Sequence, residues 1–343
     1  MTECRVAVIG AGAWGVNHVR AFARLRGAQV AVVCDASAEA RARAQSLAPG
    51  ARAEAEPAAV LAAPDVDAVV LATPAVTHAR LALESLAAGK HVFVEKPLAL
   101  SSADAAAVVA AAEAAGRVLM VGHLMLYHPG VERLRRMVRD GELGTLHYLY
   151  AQRVNLGRLR RDENALWSLA PHDVSMILAL LDEQPASVSA RGGCYLQRGI
   201  EDVVFVTLRF PSGLLASIQL SWLDPRKERR LTVVGSKKMV EFDDVHPVEK
   251  LRIYDKGYDR PPEFTEYAEY LSIRNGDIHI PQLAMTEPLE LECRHFIECV
   301  RSGRRPLTDG ASALAVVRVL EAAQCSLAAD GAPVGLHGAP GAG

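Results

Sequence analysis

The chain has 343 residues, 50% of them apolar and 23% charged, with a formal net charge of −2. That length suits two ordinary domains, and the near-neutral balance gives no general pull toward nucleic acid or an anionic membrane. Six scattered cysteines without a CxxC pair, an N-terminus that runs straight into a strand, and no apolar run of the roughly 18 residues a membrane span needs together predict a cytoplasmic protein with reduced thiols, no leader and no metal site.

In chain order, the first 122 residues alternate short apolar runs with helical stretches. Strands are predicted at Arg5–Ile9, Val30–Cys34, Ala68–Ala72, His91–Val94 and Val118–Val121. Between them fall helices at Trp14–Arg26, from Ala38 toward Pro49-Gly50, at Val76–Ala88 and at Ala103–Ala115, the last opened by a capping box of Ser101 and Asp104. Such a pattern implies a parallel sheet covered on both faces.

Beyond residue 122 the rhythm changes. Helices are predicted at Gly130–Asp140 and His172–Leu181. Period-two strands follow at Leu146–Val154, Val188–Tyr195, Val203–Phe210, Leu214–Leu223, Leu231–Val234, Met239–Phe242 and Leu251–Tyr254. Leu214, Ala216, Ile218, Leu220 and Trp222 put one apolar face on a mainly antiparallel sheet. Val203–Phe210 is apolar on both faces, which suggests helices on one side and a second subunit on the other, hence a homodimer or homotetramer. Closing helices are read at Leu289–Val300 and Ser312–Leu327. The Gly, Ala and Pro-rich tail 329–343 is expected to be disordered. The resulting organisation is α/β: a dinucleotide-binding domain over 1–122 and an α+β domain with a large sheet over 123–328, carrying substrate and oligomer contacts.

Gly10-Ala11-Gly12-Ala13-Trp14-Gly15 follows the first strand and opens the first helix. Gly10 permits the tight turn, Gly12 lets backbone approach a pyrophosphate, Gly15 lets helix and strand pack closely, and the helix start at Trp14 offers N–H groups to phosphates, with Ala13 beside it a further cofactor-binding candidate. Asp35 closes the second strand 20 residues after Gly15, where a carboxylate accepts hydrogen bonds from ribose hydroxyls and repels a 2′-phosphate. NAD is therefore favoured over NADP in a Rossmann domain. Thr73, Pro74 and His78 leave the third strand where the dinucleotide should cross, and local sequence supports cofactor contact and plain helix capping equally. Glu95-Lys96-Pro97 ends the His91–Val94 strand on the same side of the sheet. A lysine there, partly desolvated beside a nicotinamide, can hold a substrate hydroxyl and manage its proton.

Together these residues resemble the glucose–fructose oxidoreductase / inositol dehydrogenase / rhizopine catabolism (Gfo/Idh/MocA) family of NAD(P)-dependent sugar oxidoreductases over nearly the whole chain. The resemblance implies that Lys96 is catalytic or substrate-orienting, with Glu95 beside the nicotinamide. It also implies that His172, in Trp167-Ser168-Leu169-Ala170-Pro171-His172-Asp173, is a second catalytic group at a helix start. Many relatives carry an aspartate where this chain has Ser168, so proton transfer would fall on Lys96 and His172.

Arg153, Arg158, Arg160 and Arg161, with Arg226 and Lys227, provide basic groups suited to a diphosphate, although charge runs are usually solvated loop. In these stretches and in Asp277–Pro281 the chain resembles the branch that oxidises nucleotide sugars, in particular the bacterial UDP-N-acetylglucosamine 3-dehydrogenases. That implies a 3-keto sugar passed to a PLP aminotransferase for lipid A amino-sugar synthesis. Tyr127, Arg153, Asn155, Arg158, Ser168 and His172 are the candidate substrate contacts. Other sugars (a UDP-uronic acid, a nucleotide keto-sugar, a free cyclitol) and a non-catalytic NAD sensor are the alternatives.

Overall fold

A computed structural model describes residues 3–157, 159–161, 163–259 and 272–336. Among these the chain forms two compact units, one of Met1–His128 with Thr286–Arg318 and one of Pro129–Met285 with Val319–Gly343.

The first unit alternates β1 (Cys4–Ile9), α1 (Ala13–Arg24), β2 (Ala28–Cys34), α2 (Ala38–Gln45), β3 (Arg52–Glu54), α3 (Pro57–Ala62), β4 (Ala68–Leu71), α4 (His78–Ala87), β5 (His91–Val94), α5 (Ser102–Ala115) and β6 (Leu119–Val121). Its strands pair in the order β3-β2-β1-β4-β5-β6, all parallel. This is the doubly wound order, with the chain reversing direction between β1 and β4, and ligands bind at the carboxyl ends beside that reversal. Central strands covered on both faces have no water to turn a polar side chain toward, which is why Val6, Val8, Val69, Val70 and Phe93 are fully buried. β3 and α3 escape a periodicity reading because β3 is a polar three-residue edge strand. At α5 the cap is as predicted: Ser101 Oγ accepts from the Asp104 N–H at 3.0 Å, and Gly116 closes the helix at φ 60°.

The second unit holds α6 (Pro129–Arg139), β7 (Leu146–Leu156), α7 (Ala165–Leu181), β8 (Ser187–Gly193), β9 (Val203–Arg209), β10 (Leu215–Ser221), β11 (Leu223–Gly235), β12 (Met239–Asp243), β13 (Leu251–Asp259) and β14 (Ser272–His279). Near the C-terminus come α8 (Pro288–Ser302), α9 (Gly310–Ala328) and β15 (Val334–Gly335). The sheet order is β14-β13-β12-β11-β7-β10-β9-β8-β15, antiparallel except for the pair β7 and β10. Ala216, Ile218, Leu220 and Trp222 form its buried face, as the alternation predicts. The other face exposes Tyr148, Tyr150, Phe205 and Leu215.

Several boundaries differ from the sequence reading. The second domain is not continuous over 123–328, because α8 belongs to the first unit: its stripe Leu289, Cys293, Phe296 and Ile297 joins the core that contains Val19, Phe22 and Phe93. The tail is partly structured, since β15 pairs antiparallel with β8 and only 337–343 of it lie outside the described residues. β11 has 13 residues rather than the four expected, with the basic stretch Arg226-Lys227 inside its irregular first half. α9 is, by length and composition, apolar enough to cross a membrane, but half of its apolar window is buried inside the protein, as in a core helix. The largest shift is α7, which begins at Ala165 and not at His172. Asn164 caps it by accepting the Trp167 N–H at 3.2 Å, and Pro171, expected just ahead of the helix, lies inside it. Proline has no N–H to donate to the Trp167 carbonyl.

Candidate functional site

The glycine turn lies at the carboxyl end of β1, and its three glycines serve different physical ends. Gly10 has φ 93°, and a Cβ there would lie 2.6 Å from the Ala72 carbonyl oxygen. At Gly15 a Cβ would collide with the Gly10 carbonyl, so the helix could not sit this close to the strand. At Gly12 a Cβ would meet no atom within 4 Å. Only Gly12 leaves open space, as expected where a pyrophosphate approaches backbone. Gly12 is also the N-cap of α1, which has no side-chain cap and no acidic residue in its first turn, so the N–H groups at Ala13 and Trp14 and the positive end of the helix dipole suit phosphate. Trp14 is 43% exposed beside this space.

Asp35 stands at the end of β2, half-buried, its two oxygens accepting from the Ala11 N–H at 2.7 Å and the Ser37 N–H at 2.8 Å. The carboxylate thus ties the glycine turn to the end of the second strand. Arg41 folds back and donates to the Asp35 carbonyl at 2.6 Å, and Arg43 donates to the Ala11 carbonyl at 3.2 Å. Sequence proximity alone did not place either arginine there. These features fit an NAD held by Gly12, the α1 amides and Asp35.

At the exit of β4 the expectations divide. Thr73 is half-buried with its hydroxyl 2.7 Å from that of Thr77, and Pro74 is exposed. His78 is 1% exposed, with Nδ1 2.7 Å from the Pro97 carbonyl oxygen and Nε2 2.9 Å from that of Thr73. Both ring nitrogens are occupied inside the protein, so His78 is not a cofactor contact. It links the β4 exit to the Glu95-Lys96-Pro97 turn, whose Lys96–Pro97 peptide is cis.

Glu95 and Lys96 follow β5. Glu95 Oε1 lies 2.6 Å from His18 Nε2, and Oε2 accepts from the Lys96 N–H at 3.2 Å. Burial pushes the Glu95 carboxyl up, but the His18 hydrogen bond and the charge and amide of Lys96 outweigh it, leaving the group below its ordinary value. His123, just past β6, is 1% exposed. Burial and the Lys96 charge pull its imidazole down to about 4, so it is neutral at ordinary pH. Neither His18 nor His123 was singled out in the sequence. The available signal for His18 was its place on the apolar stripe of α1, three residues after Gly15.

In the second unit, His172 is half-buried in the middle of α7. Its neighbour Asp173 is 1% exposed and receives Arg153 Nε at 2.6 Å and Nη2 at 3.1 Å. Burial raises the Asp173 carboxyl and the guanidinium opposes the rise. Arg153 is itself only 4% exposed. Its fork is filled, so it is not the diphosphate ligand the sequence suggested. Arg160 pairs with Glu163 at 2.8 Å. Tyr127, in the first unit, also departs from its expected role. It is 8% exposed, and its hydroxyl lies 3.1 Å from that of Thr308 and 3.8 Å from Met120 Sδ, turned into the core. Asn155 is half-buried on β7, Ser168 is 8% exposed on α7, and Arg158 lies outside the described residues.

A doubly wound sheet with an uncapped helix at an open glycine turn, an acidic residue at the end of β2 and a lysine at the end of β5 defines a dinucleotide-binding protein. Residues 4–123 match the oxidoreductase family with NAD-binding Rossmann fold, and residues 131–241 match the GFO/IDH/MocA C-terminal domain. The chain belongs to the Gfo/Idh/MocA family and carries its NAD-binding domain. It is 32% identical over 228 residues to inositol 2-dehydrogenase 1 of Mycolicibacterium vanbaalenii, spanning 64% of this chain and 66% of that one. It is 28% identical to the UDP-N-acetylglucosamine 3-dehydrogenase of Acidithiobacillus ferrooxidans, spanning 94% and 96%. The structure of the latter superposes with a TM-score of 0.80 over 96% of this chain and 99% of its own. GenD2 from gentamicin A biosynthesis, solved in complex with NAD, superposes at 0.81 with 28% identity, covering 98% and 97%.

Proposed function

We propose that this protein is an NAD-dependent dehydrogenase of a sugar ring hydroxyl, and that the 3-hydroxyl of UDP-N-acetylglucosamine is its substrate. The observation that carries the dehydrogenase reading is the open space at Gly12 after β1, with Asp35 ending the neighbouring β2 and the Glu95-Lys96-Pro97 turn following β5 of the same parallel sheet. Bound NAD supplies a hydride acceptor for a secondary alcohol carbon. Lys96 orients the substrate hydroxyl, and His172 takes its proton. Both are proton-handling groups, and fixing the alcohol for transfer is the larger part of the catalytic task. Asn155 and Ser168 are retained as substrate contacts. The keto product would feed a PLP aminotransferase, the route to the amino sugars of lipid A.

Supporting the nucleotide sugar is the likeness to the UDP-N-acetylglucosamine 3-dehydrogenase over nearly the full length of both chains, together with Arg226 and Lys227 on β11. A second reading, a free cyclitol, is favoured by the inositol 2-dehydrogenase relatives and by the use of Arg153 within the protein. Ser168, which cannot act as a carboxylate base, weighs against it. The six cysteines are free, which suits the cytoplasm. The exposed face of the large sheet, with Tyr148 and Tyr150 stacked at 6.3 Å, suits a second copy of the chain.

The test is incubation of the protein with NAD and either UDP-N-acetylglucosamine or myo-inositol, with a 3-aminotransferase and glutamate as a trap, while following NADH. NADH that requires the UDP sugar and is lost in both Lys96→Ala and His172→Asn supports the proposal. NADH with inositol alone selects the cyclitol. NAD binding with no turnover of any sugar in a wider panel would make the protein a sensor.

A further inference from the structure

His18 lies on the buried face of α1, with no exposed surface, between Phe22 and the edge of Phe93 at ring separations of 6.3 and 5.0 Å. One ring nitrogen meets Glu95 at 2.6 Å and the other faces Cys293 Sγ on α8 at 3.7 Å. Burial holds the Cys293 thiol well above its ordinary value, so it keeps its proton and serves as a weak donor to Nδ1. With Nδ1 turned to the thiol, the ring presents Nε2 to the Glu95 carboxylate. A half-buried carboxylate is costly without a partner, and an apolar side chain would fill this place at lower cost. The residue kept here instead joins the helix that receives the dinucleotide to the turn that carries Lys96.

We propose that His18 is a positioning residue, with its tautomer set by Cys293 and its Nε2–H fixing Glu95, so that the Glu95-Lys96-Pro97 turn is held in register with the cofactor helix. The proposal rests on the reading of Lys96 as the group that orients the substrate hydroxyl. The charged and titratable groups facing Glu95 are His18 from α1, Lys96 from its own turn, His123 from beyond β6, and Glu292 and Cys293 from α8. Of these, His18 supplies the hydrogen bond to the Glu95 side chain from another element. Without it, burial raises the carboxyl, and a step that needs Glu95 ionised fails at a higher pH than in the parent protein.

The experiment compares His18→Ala and His18→Gln in the full chain for NAD affinity, turnover and its pH profile, alongside 15N-histidine NMR of the parent protein. His18→Ala should lower kcat about 100-fold, the cost of a slight misplacement, with NAD affinity nearly unchanged. The acid limb of kcat should move up by about one pH unit, as loss of a hydrogen bond to a charged group requires. His18→Gln, whose amide N–H replaces Nε2–H, should recover most of the turnover and the original limb. Parent-like turnover in a folded His18→Ala protein would overturn the proposal, as would equal impairment of both variants with an unmoved limb. In the NMR arm, the line lost in His18→Gln should show an Nε2-protonated ring that shifts in Glu95→Gln and Cys293→Ala; a proton on Nδ1, or a line indifferent to Glu95→Gln, overturns it. Should no sugar or cyclitol be turned over, the substrate reading fails and the NMR arm alone decides the pair.

Discussion

Arg153 on β7 grips Asp173 on α7 through both ends of its guanidinium fork, and neither side chain is more than 5% exposed. The pair locks the helix that carries His172 onto the sheet. Removing one partner strands the other as a buried charge, which costs about 3–5 kcal/mol. Arg153→Ala should therefore lose that much stability in urea unfolding, while Arg153→Met with Asp173→Leu should recover most of it. An Arg153→Ala protein with an unchanged urea midpoint would return Arg153 to the pool of substrate ligands.

The two glycines at the β1 exit should separate folding from binding. Gly10→Ala forces a side chain into φ 93° and against the Ala72 carbonyl, a strain on the order of 3 kcal/mol, visible as a lower Tm. Gly12→Ala meets open space, so its Tm should hold while NAD affinity falls by about tenfold or more, equivalent to roughly 1.4 kcal/mol. Titration of Trp14 fluorescence with NAD reads the second effect. Equal NAD affinity in Gly12→Ala and the parent protein would move the pyrophosphate elsewhere.

Cofactor choice should turn on Asp35. A hydrogen bond to a charged group contributes about 1.5–3 kcal/mol, so Asp35→Ser should weaken NAD by roughly ten- to a hundredfold. The same change removes the repulsion against a 2′-phosphate and leaves Arg41, already at the Asp35 backbone, free to receive it. The ratio of NAD to NADP dissociation constants should fall accordingly. Equal binding of NAD and NADP by the parent protein would be evidence against Asp35 as the ribose ligand.

Glu292 on α8 is 1% exposed, and its Oε1 has no hydrogen-bond partner among the described residues. Burial, with the Glu95 charge behind it, pushes its carboxyl well above the ordinary value, so the folded state keeps a proton that the unfolded chain releases. Below about pH 4.3, the unfolded value, both states are protonated and the group costs nothing. Above it the unfolded state gains by ionising, and stability falls as pH rises toward the folded value. Glu292→Gln should raise Tm at pH 7 with a gain that vanishes near pH 4, measurable by thermal scans across pH. A gain independent of pH would point to packing and not to this proton.

Strand and helix alternation, the three glycines and Asp35 were legible because each follows from local rules: period, turn conformation and fixed spacing. So were the one-sided face of β10 and the cap at Ser101. The helix of His172 was misread, because Pro171 looks like a start when the Asn164 cap is not recognised. What the sequence by itself determined is a Rossmann dinucleotide domain followed by a large sheet, since backbone geometry ties those patterns to nearby residues. Only the tertiary structure decided which polar side chains are spent inside the protein. Arg153 meets Asp173 from 20 positions away, His78 meets the Pro97 carbonyl from 19, and His18 meets Glu95 from 77. Burial makes each of those pairings obligatory, because a polar group removed from water must find its partner wherever the fold brings one.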